Sequence, residues 1–283
     1  MHNHSVSADA PQLKASEALC KLPPFRPVAL KLLRLVTRED VNFSEVANLL
    51  SVDPGFSAEI LALANSSLYA NASRTTSLTR AIVVLGLERT RSLTMTVAMQ
   101  AFVTNVQVTE ELQRCWRHSL GCAVVAEELA PIYGITRDHG YTAGLLHDLG
   151  RLGLLKAYAK PYAVLLANTY ENVAQLLDAE RDRFEMDHCQ AGLWLTRSWG
   201  FPEEFQSIAA RHHDGRFTPD QGIVALAGVS CVLADTLGFS CMNYQQAATV
   251  EETMAALPGK TPFDMEAIRK RIVERVQSVD LGT

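Results

Sequence analysis

The sequence has no CxxC pair, no run of lysine and arginine longer than three residues, and no uninterrupted apolar stretch near the 18 residues of a membrane-spanning helix. Its six cysteines lie mostly in apolar, helix-like segments, where free cysteine commonly acts as a small hydrophobe. This usage favours a reduced, cytoplasmic protein over a disulfide framework.

The chain is also poor in features that mark secretion or nucleic-acid binding. The N-terminus has no continuous apolar region, so it does not resemble a secretory signal. The net charge is −5, and without a basic run a broad DNA- or RNA-binding face is not expected. We therefore expect a soluble intracellular protein with no membrane and no nucleic-acid partner.

Alternating strand patterns are lacking as well, and almost everything after residue 15 shows helical periodicity. Ser44 is the expected N-cap of a short helix, and Asp53 followed by Pro54 is typical of the start of the next. Breaks are expected at Gly134, at Pro161 and around residues 200–202 and 213–215. The fold class predicted is all-α.

Four regions follow from this pattern. Residues 1–14 form a disordered N-terminus, 15–105 an N-terminal helical lobe, 106–245 a second helical lobe, and 246–283 a tail with one amphipathic helix. A length of 283 residues suits one large domain or two modest ones.

Several polar residues lie on apolar helix faces, which is unusual because an unpaired buried charge costs several kcal/mol. In AGLLHDLGRLGLL, His147 and Asp148 stand among Ala, Gly and Leu. The complete set of inward-facing residues is His118, His147, Asp148, His188, His212, His213 and Asp235. His139 is interpreted as a loop residue and left out.

A mixed set of histidines and carboxylates suits one or two transition-metal ions such as Fe, Mn, Zn, Co or Ni, with Asp148 bridging if there are two. The alternative is a hydrogen-bonded interior without metal, in which Asp235 pairs with an arginine or a backbone N–H. The residues alone leave both open.

The ordered set resembles the ligand pattern of the HD superfamily of phosphohydrolases. LPPFRPVALKLLRLV, DPGFSAEILALANSSLY, SLTRAIVVLGLERTRSL, WRHSLGCA, DHCQAGLWLTRSWGFPEEF and the HH pair resemble more closely the HDOD family of bacterial signal-output domains, over about residues 15–240. The resemblance implies an all-α fold and a role in signalling, mostly without demonstrated catalysis. It also implies a first metal site of His118, His147, Asp148 and Asp235. A second site would comprise His188, His212 and His213, sharing Asp148.

Two departures separate the chain from catalytic relatives. Cyclic di-GMP phosphodiesterases of this superfamily carry HDxGK, whereas this chain has HDLGR with Arg151 at the lysine position. Arginine keeps the charge but does not donate a proton near neutral pH. The segment HHDGRFTPDQG also lacks the GYP loop that contacts substrate in those enzymes.

Two functions follow. The first is a non-catalytic output module that binds a signalling protein, or a second copy of itself, with a retained or vestigial metal site. Its contact points would be Leu68–Tyr69 and the tail helix, both of which also suit internal packing. The second is a metal-dependent phosphohydrolase acting on a nucleotide or cyclic dinucleotide. There Arg151 would stabilise developing charge, in a pocket to which Arg211 and Arg216 contribute; alternatively Arg151 pairs with an acid.

Overall fold

The computed structural model describes residues 13–35, 40–66, 74–104, 108–215, 218, 222–245, 248–257 and 264–278. These residues confirm the all-α prediction. Most of the predicted disordered N-terminus, the Leu68–Tyr69 pair and Arg216 lie outside the described residues.

In the described N-terminal residues the structure has helices α1 (Ala15–Leu19), α2 (Pro27–Leu35), α3 (Phe43–Ser51), α4 (Pro54–Ala64), α5 (Leu78–Leu85) and α6 (Leu87–Thr104). Asp53 caps α4 through the backbone N–H of Phe56, as predicted. The predicted N-cap of α3 was wrong. Asn42 accepts from the N–H of Glu45, so Ser44 lies within the first turn.

The described residues after position 108 form α7 (Glu110–Leu129), α8 (Arg137–Leu146), α9 (Leu149–Ala157), α10 (Ala159–Ala167), α11 (Val173–Phe184), α12 (His188–Trp199), α13 (Glu203–Arg211), α14 (Gly222–Ala234), α15 (Val250–Ala255) and α16 (Met265–Ser278). A 3₁₀ turn, Ala130–Tyr133, ends α7, and a π-type turn, Asp235–Phe239, extends α14. The break expected at Pro161 falls earlier, at Tyr158, because proline is tolerated in a first helical turn.

A short parallel β-pair was not predicted. Strand β1 (Thr169–Tyr170) pairs with β2 (Asn243–Tyr244), so that Thr169 faces Asn243 and Tyr170 faces Tyr244. Two residues per strand are too few to show an alternating pattern. The pair joins the segment before α11 to the segment after α14, next to the cavity described below.

The hydrophobic core is one continuous cluster that crosses the predicted boundary near residue 105. Helix α1 packs on α9 and α12, α6 packs on α8, and the tail helix α16 packs on α7. The N-terminal lobe and the tail are therefore joined to the central helices by shared core.

One described helical stretch, Gly222–Phe239, is long and apolar enough to cross a membrane by length and composition, although the sequence inspection expected none. About 61% of it is buried within the protein. Its helix α14 packs on α7, α8 and α13, as a core helix of a soluble domain does.

Two glycines allow the central helices to approach closely. A Cβ at Gly144 would collide with the backbone oxygen of Cys122 on α7, and one at Gly150 would collide with the backbone oxygen of His188 on α12. These contacts fix α8 and α9 against the helices that carry the site residues.

Candidate metal centre

The His147–Asp148 pair lies at a break between two helices. Helix α8 ends at Leu146 and α9 begins at Leu149, with Asp148 in a non-helical conformation (φ −103°, ψ 26°). On a continuous helix adjacent side chains point about 100° apart, so one would leave the interior. The break lets both side chains be buried.

Five histidine rings meet in the interior. The distances between ring centroids are 5.4 Å for His118–His147, 4.9 Å for His147–His212, 5.5 Å for His188–His212, 5.1 Å for His188–His213 and 4.2 Å for His212–His213. They come from α7, the α8–α9 break, the start of α12 and the end of α13. The structure brings the predicted histidines together. Their role as metal ligands stays a prediction.

The two carboxylates of the predicted set lie at this cluster. Asp148 Oδ1 is 3.8 Å from His188 Nε2. Asp235, at the start of the π-type turn, has Oδ1 3.2 Å from His118 Nδ1. The side chain of Asp235 is 23% exposed, so it lies at the edge of the cluster.

Four of the histidines share one ring orientation. Their Nδ1 atoms lie against acceptors: Phe239 O at 3.0 Å from His118, Gly144 O at 2.7 Å from His147, Ile208 O at 3.1 Å from His212, and Glu180 Oε2 at 2.7 Å from His188. Because a carbonyl or carboxylate oxygen only accepts, each Nδ1 carries the proton. Each neutral ring then has its lone pair on Nε2, as in histidines that bind metals, and in His188 this lone pair accepts from Arg151 Nη2.

Several of these lone pairs have no partner. Among the described residues, His147 Nε2, His212 Nε2, His213 Nε2 and Asp148 Oδ1 are buried without a hydrogen bond. Each such atom costs about 1–3 kcal/mol if left unsatisfied. His147 Nε2, His212 Nε2 and Asp148 Oδ1 are acceptors, so they cannot satisfy one another, whereas a cation satisfies several at once. The residues therefore fit a metal ion.

The pKa shifts of His212 and His213 agree with this, whereas neighbouring acidic groups raise the pKa values of His118 and His188. Burial lowers the pKa of His213 to about 3 and, with the neighbouring imidazoles, lowers the pKa of His212 well below its ordinary value. Both rings stay neutral near pH 7, which is the form that binds metals.

Arg151 is buried inside the cluster rather than exposed on the surface. Its Nε donates to Asp148 Oδ2 at 2.5 Å, and Nη2 donates to His188 Nε2 at 3.1 Å. Burial alone would raise the pKa of Asp148, but the guanidinium holds it well below the ordinary range. The arginine thus stands between two of the residues that the resemblance assigns to a second metal.

Two residues missed by the sequence inspection complete this network. Glu180 accepts from the backbone N–H of His188 at 2.8 Å and from the hydroxyl of Tyr162 at 2.5 Å. Glu180 also lies 3.7 Å from Arg151 Nη1. The sequence did contain a signal that Glu180 is buried. It lies four residues after Leu176 and four before Phe184, on the same face of α11, and both neighbours are buried.

The thiols of Cys122 and Cys231 were treated as small hydrophobes. In the structure each Sγ lies 3.5 Å from His118 Nε2. Cys122 follows His118 by four residues on α7, a spacing that places both on one helix face.

His139 was wrongly interpreted as a loop residue. It lies in the first turn of α8, where Nδ1 is 2.8 Å from Arg91 Nη2 and Nε2 is 3.1 Å from Glu204 Oε2. These contacts tie α6, α8 and α13 together away from the metal-site histidines.

A cavity of about 450 Å³ opens beside the cluster and is reached by His213, Cys231 and Asp235. The other lining residues are Asn172, Val173, Val232, Thr236, Ser240, Met242, Asn243, Tyr244 and Ala248. In the part of the chain that the structure describes, the lining contains no lysine or arginine. Arg211, predicted for such a pocket, instead pairs with Asp214 at 2.9 Å.

Comparison with solved structures supports the fold. An HDOD domain protein of unknown function from Geobacter sulfurreducens is 26% identical, with a TM-score of 0.73 and coverage of 95% of this chain and 97% of that one. A candidate phosphohydrolase from Shewanella amazonensis SB2B is 20% identical, with a TM-score of 0.67 and coverage of 94% and 95%. A second Shewanella protein, a candidate metal-dependent phosphohydrolase, is 20% identical, with a TM-score of 0.56 and coverage of 93% and 94%.

An uncharacterized protein of Treponema pallidum (strain Nichols) is 22% identical over 267 residues. The match covers 93% of this chain and 48% of the relative, so the chain spans about half of that protein. The HDOD domain model matches residues 22–215, more than half of this chain, including every predicted site residue except Asp235. The chain therefore belongs to the HDOD domain family.

Proposed function

We propose that this chain is a non-catalytic bacterial signal-output module of the cytoplasm, which acts by binding a signalling protein and holds a single structural metal ion. The observation that carries the proposal is the position of Arg151. Its guanidinium binds Asp148 and His188, supplying the positive charge that a second ion would supply there. Asp148 then has only Oδ1 left for an ion.

The ion would be held by the Nε2 atoms of His118 and His147, with Asp148 and Asp235 as the further ligands that the resemblance implies. These residues belong to α7, the α8–α9 break and the turn after α14. A metal there cross-links elements that are far apart in sequence, and its binding energy becomes folding energy.

The cavity gives independent support for a non-catalytic role. Phosphoryl and phosphodiester chemistry needs cationic groups on the substrate oxygens. The described lining offers the Asp235 carboxylate and no cationic side chain, and Arg151 is not among the lining residues. Apart from a bound ion, a phosphate at this place would find no positive charge on the described lining to hold its other oxygens.

The partner surface would lie on the N-terminal helices. Among the described residues, Phe43 begins α3, Val52 follows its last residue, and Val83 and Val84 lie on α5, all with exposed apolar side chains. Helices α3 and α5 pack on each other, which supports a common binding surface formed by these side chains. The occupant would be a signalling protein or a second copy of this chain.

A photo-crosslinking amino acid at Val83 tests the interaction in cells. Val273 on α16, also exposed, is the matched control position. We expect one specific adduct from position 83 and none from position 273. The same adducts from both positions, or none from either, would contradict the assigned surface.

The second candidate is a metal-dependent phosphohydrolase of a nucleotide or cyclic dinucleotide, and one observation favours it: the cavity reaches the cluster at His213 and Asp235. Metal-loaded protein should be assayed on bis(p-nitrophenyl) phosphate and cyclic di-GMP beside His147→Ala. We expect no turnover above that of the variant. Turnover lost in His147→Ala would establish the enzyme.

A further inference from the structure

Two cysteine sulfurs lie beside His118 Nε2, the nitrogen that is free to bind a metal, whereas the carboxylate of Asp235 lies beside Nδ1. His118, Cys122, His147 and Cys231 are all buried, and one ligand atom from each, a ring nitrogen or Sγ, lies within 4.8 Å of the other three. They come from three elements: α7, the α8–α9 break and α14.

The distances between these nitrogen and sulfur atoms match those in a tetrahedral metal site. Zn–S bonds of about 2.3 Å and Zn–N bonds of about 2.1 Å at tetrahedral angles place sulfur and nitrogen ligands about 3.6 Å apart. The two distances from His118 Nε2, to Cys122 Sγ and to Cys231 Sγ, are both 3.5 Å. His147 Nε2, buried without a partner, supplies the fourth ligand atom.

Asp235 lies on the other side of the His118 ring. Its Oδ1 is 3.2 Å from Nδ1, the nitrogen that carries the proton and donates to Phe239 O. An ion at His118 Nε2 would therefore meet the thiols, while Asp235 orients the imidazole from behind. Carboxylates next to the protonated nitrogen of a metal-bound histidine commonly have this role.

Resting on the metal ion of the proposed function, we infer that its ligands are two thiolates and two imidazoles, Cys122, Cys231, His118 and His147, and that the site selects zinc or another thiophilic ion. On binding, the two S–H bonds break, the sulfur electron pairs coordinate the ion, and two protons leave to solvent. This set differs from the histidine and carboxylate set implied by the resemblance, and the soft ligands disfavour manganese.

The test is titration of metal-free protein with Co²⁺, read by near-ultraviolet thiolate-to-cobalt charge-transfer absorption. We expect one Co²⁺ per chain and a band that Cys122→Ser and Cys231→Ser each weaken and that the double variant abolishes. Asp235→Asn should keep the band. Cys115→Ser, at another buried α7 cysteine, controls for the general effect of the substitution, and circular dichroism checks folding.

X-ray absorption of zinc-loaded wild-type protein needs no variant. We expect sulfur scatterers at about 2.3 Å beside nitrogen at 2.0–2.1 Å. Bound zinc with only nitrogen and oxygen neighbours, or a cobalt band unchanged by both cysteine variants, would overturn the inference and leave the structural ion of the proposed function intact. Wild-type protein that takes up no ion would overturn both.

Discussion

Replacement of Arg151 is the substitution whose cost the structure predicts most sharply. The guanidinium contacts two buried carboxylates, Asp148 at 2.5 Å and Glu180 at 3.7 Å, and also His188. Removing one partner of a buried ion pair costs about 3–5 kcal/mol, because the remaining charge is left uncompensated. Arg151→Met keeps most of the side-chain volume, so this cost applies without a large added cavity.

The assay is urea unfolding at pH 7, with the free energy of unfolding obtained from the midpoint and slope. Arg211→Ala is the matched control, because its pair with Asp214 is exposed and worth about 0–1 kcal/mol. Arg151→Lys should recover part of the loss, since a lysine keeps the charge without the planar geometry. If Arg151→Met were within about 1 kcal/mol of the wild type, the buried network would not have the energetic role assigned to it.

Substitution of Arg151 should also change how many metal ions the protein binds. Arg151→Ala removes both the charge and the bulk, and frees Asp148 Oδ2 and His188 Nε2 beside His212 and His213. We expect this variant, where it folds, to bind a second Zn²⁺ per chain, and Arg151→Met to bind one. Equal content in both would show that arginine does not replace an ion.

Three further predictions follow from other contacts. Glu127→Ala should cost about 3 kcal/mol by urea unfolding and expose α16 to protease, because it removes the buried carboxylate that Arg271 and Arg275 of α16 contact, whereas Glu274→Ala in an exposed pair should change little. Burial lowers the pKa of Lys156 to about 8. Between that pH and about 10.4 the unfolded chain binds more protons at this lysine than the folded protein does. The free energy of unfolding of the wild type should therefore rise with pH relative to that of Lys156→Met. A difference between the two proteins that does not change with pH would refute this. Gly150→Ala should lower the melting temperature strongly, since its Cβ would meet the α12 backbone, and a wild-type melting temperature would contradict that contact.

Helical periodicity was enough to predict the all-α class and the histidines that meet in the interior. A polar residue on an apolar stripe must be buried when the helix packs, so His118, His188 and His212 followed from spacing alone. Asp235 followed by the same reasoning, but only three-dimensional packing shows which side of the His118 ring it contacts.

Other features depend on contacts that spacing does not encode. The break at His147–Asp148 interrupts a segment whose composition suits one continuous helix. Arg151 is paired in part with Glu180, which lies 29 residues later in the sequence. Only the packing of α11 shows that Glu180 reaches the cluster. The domain boundary near residue 105 remains a prediction, and the continuous core shows that the two regions are packed together.

The central claim is that the buried histidines hold one metal ion. Elemental analysis of protein purified without chelator tests it directly, beside His147→Ala and, as control, His139→Ala, which lies outside the cluster. We predict one transition-metal ion per chain, lost in His147→Ala and kept in His139→Ala. No stoichiometric metal in the wild type, or an ion that persists in His147→Ala, would contradict the account.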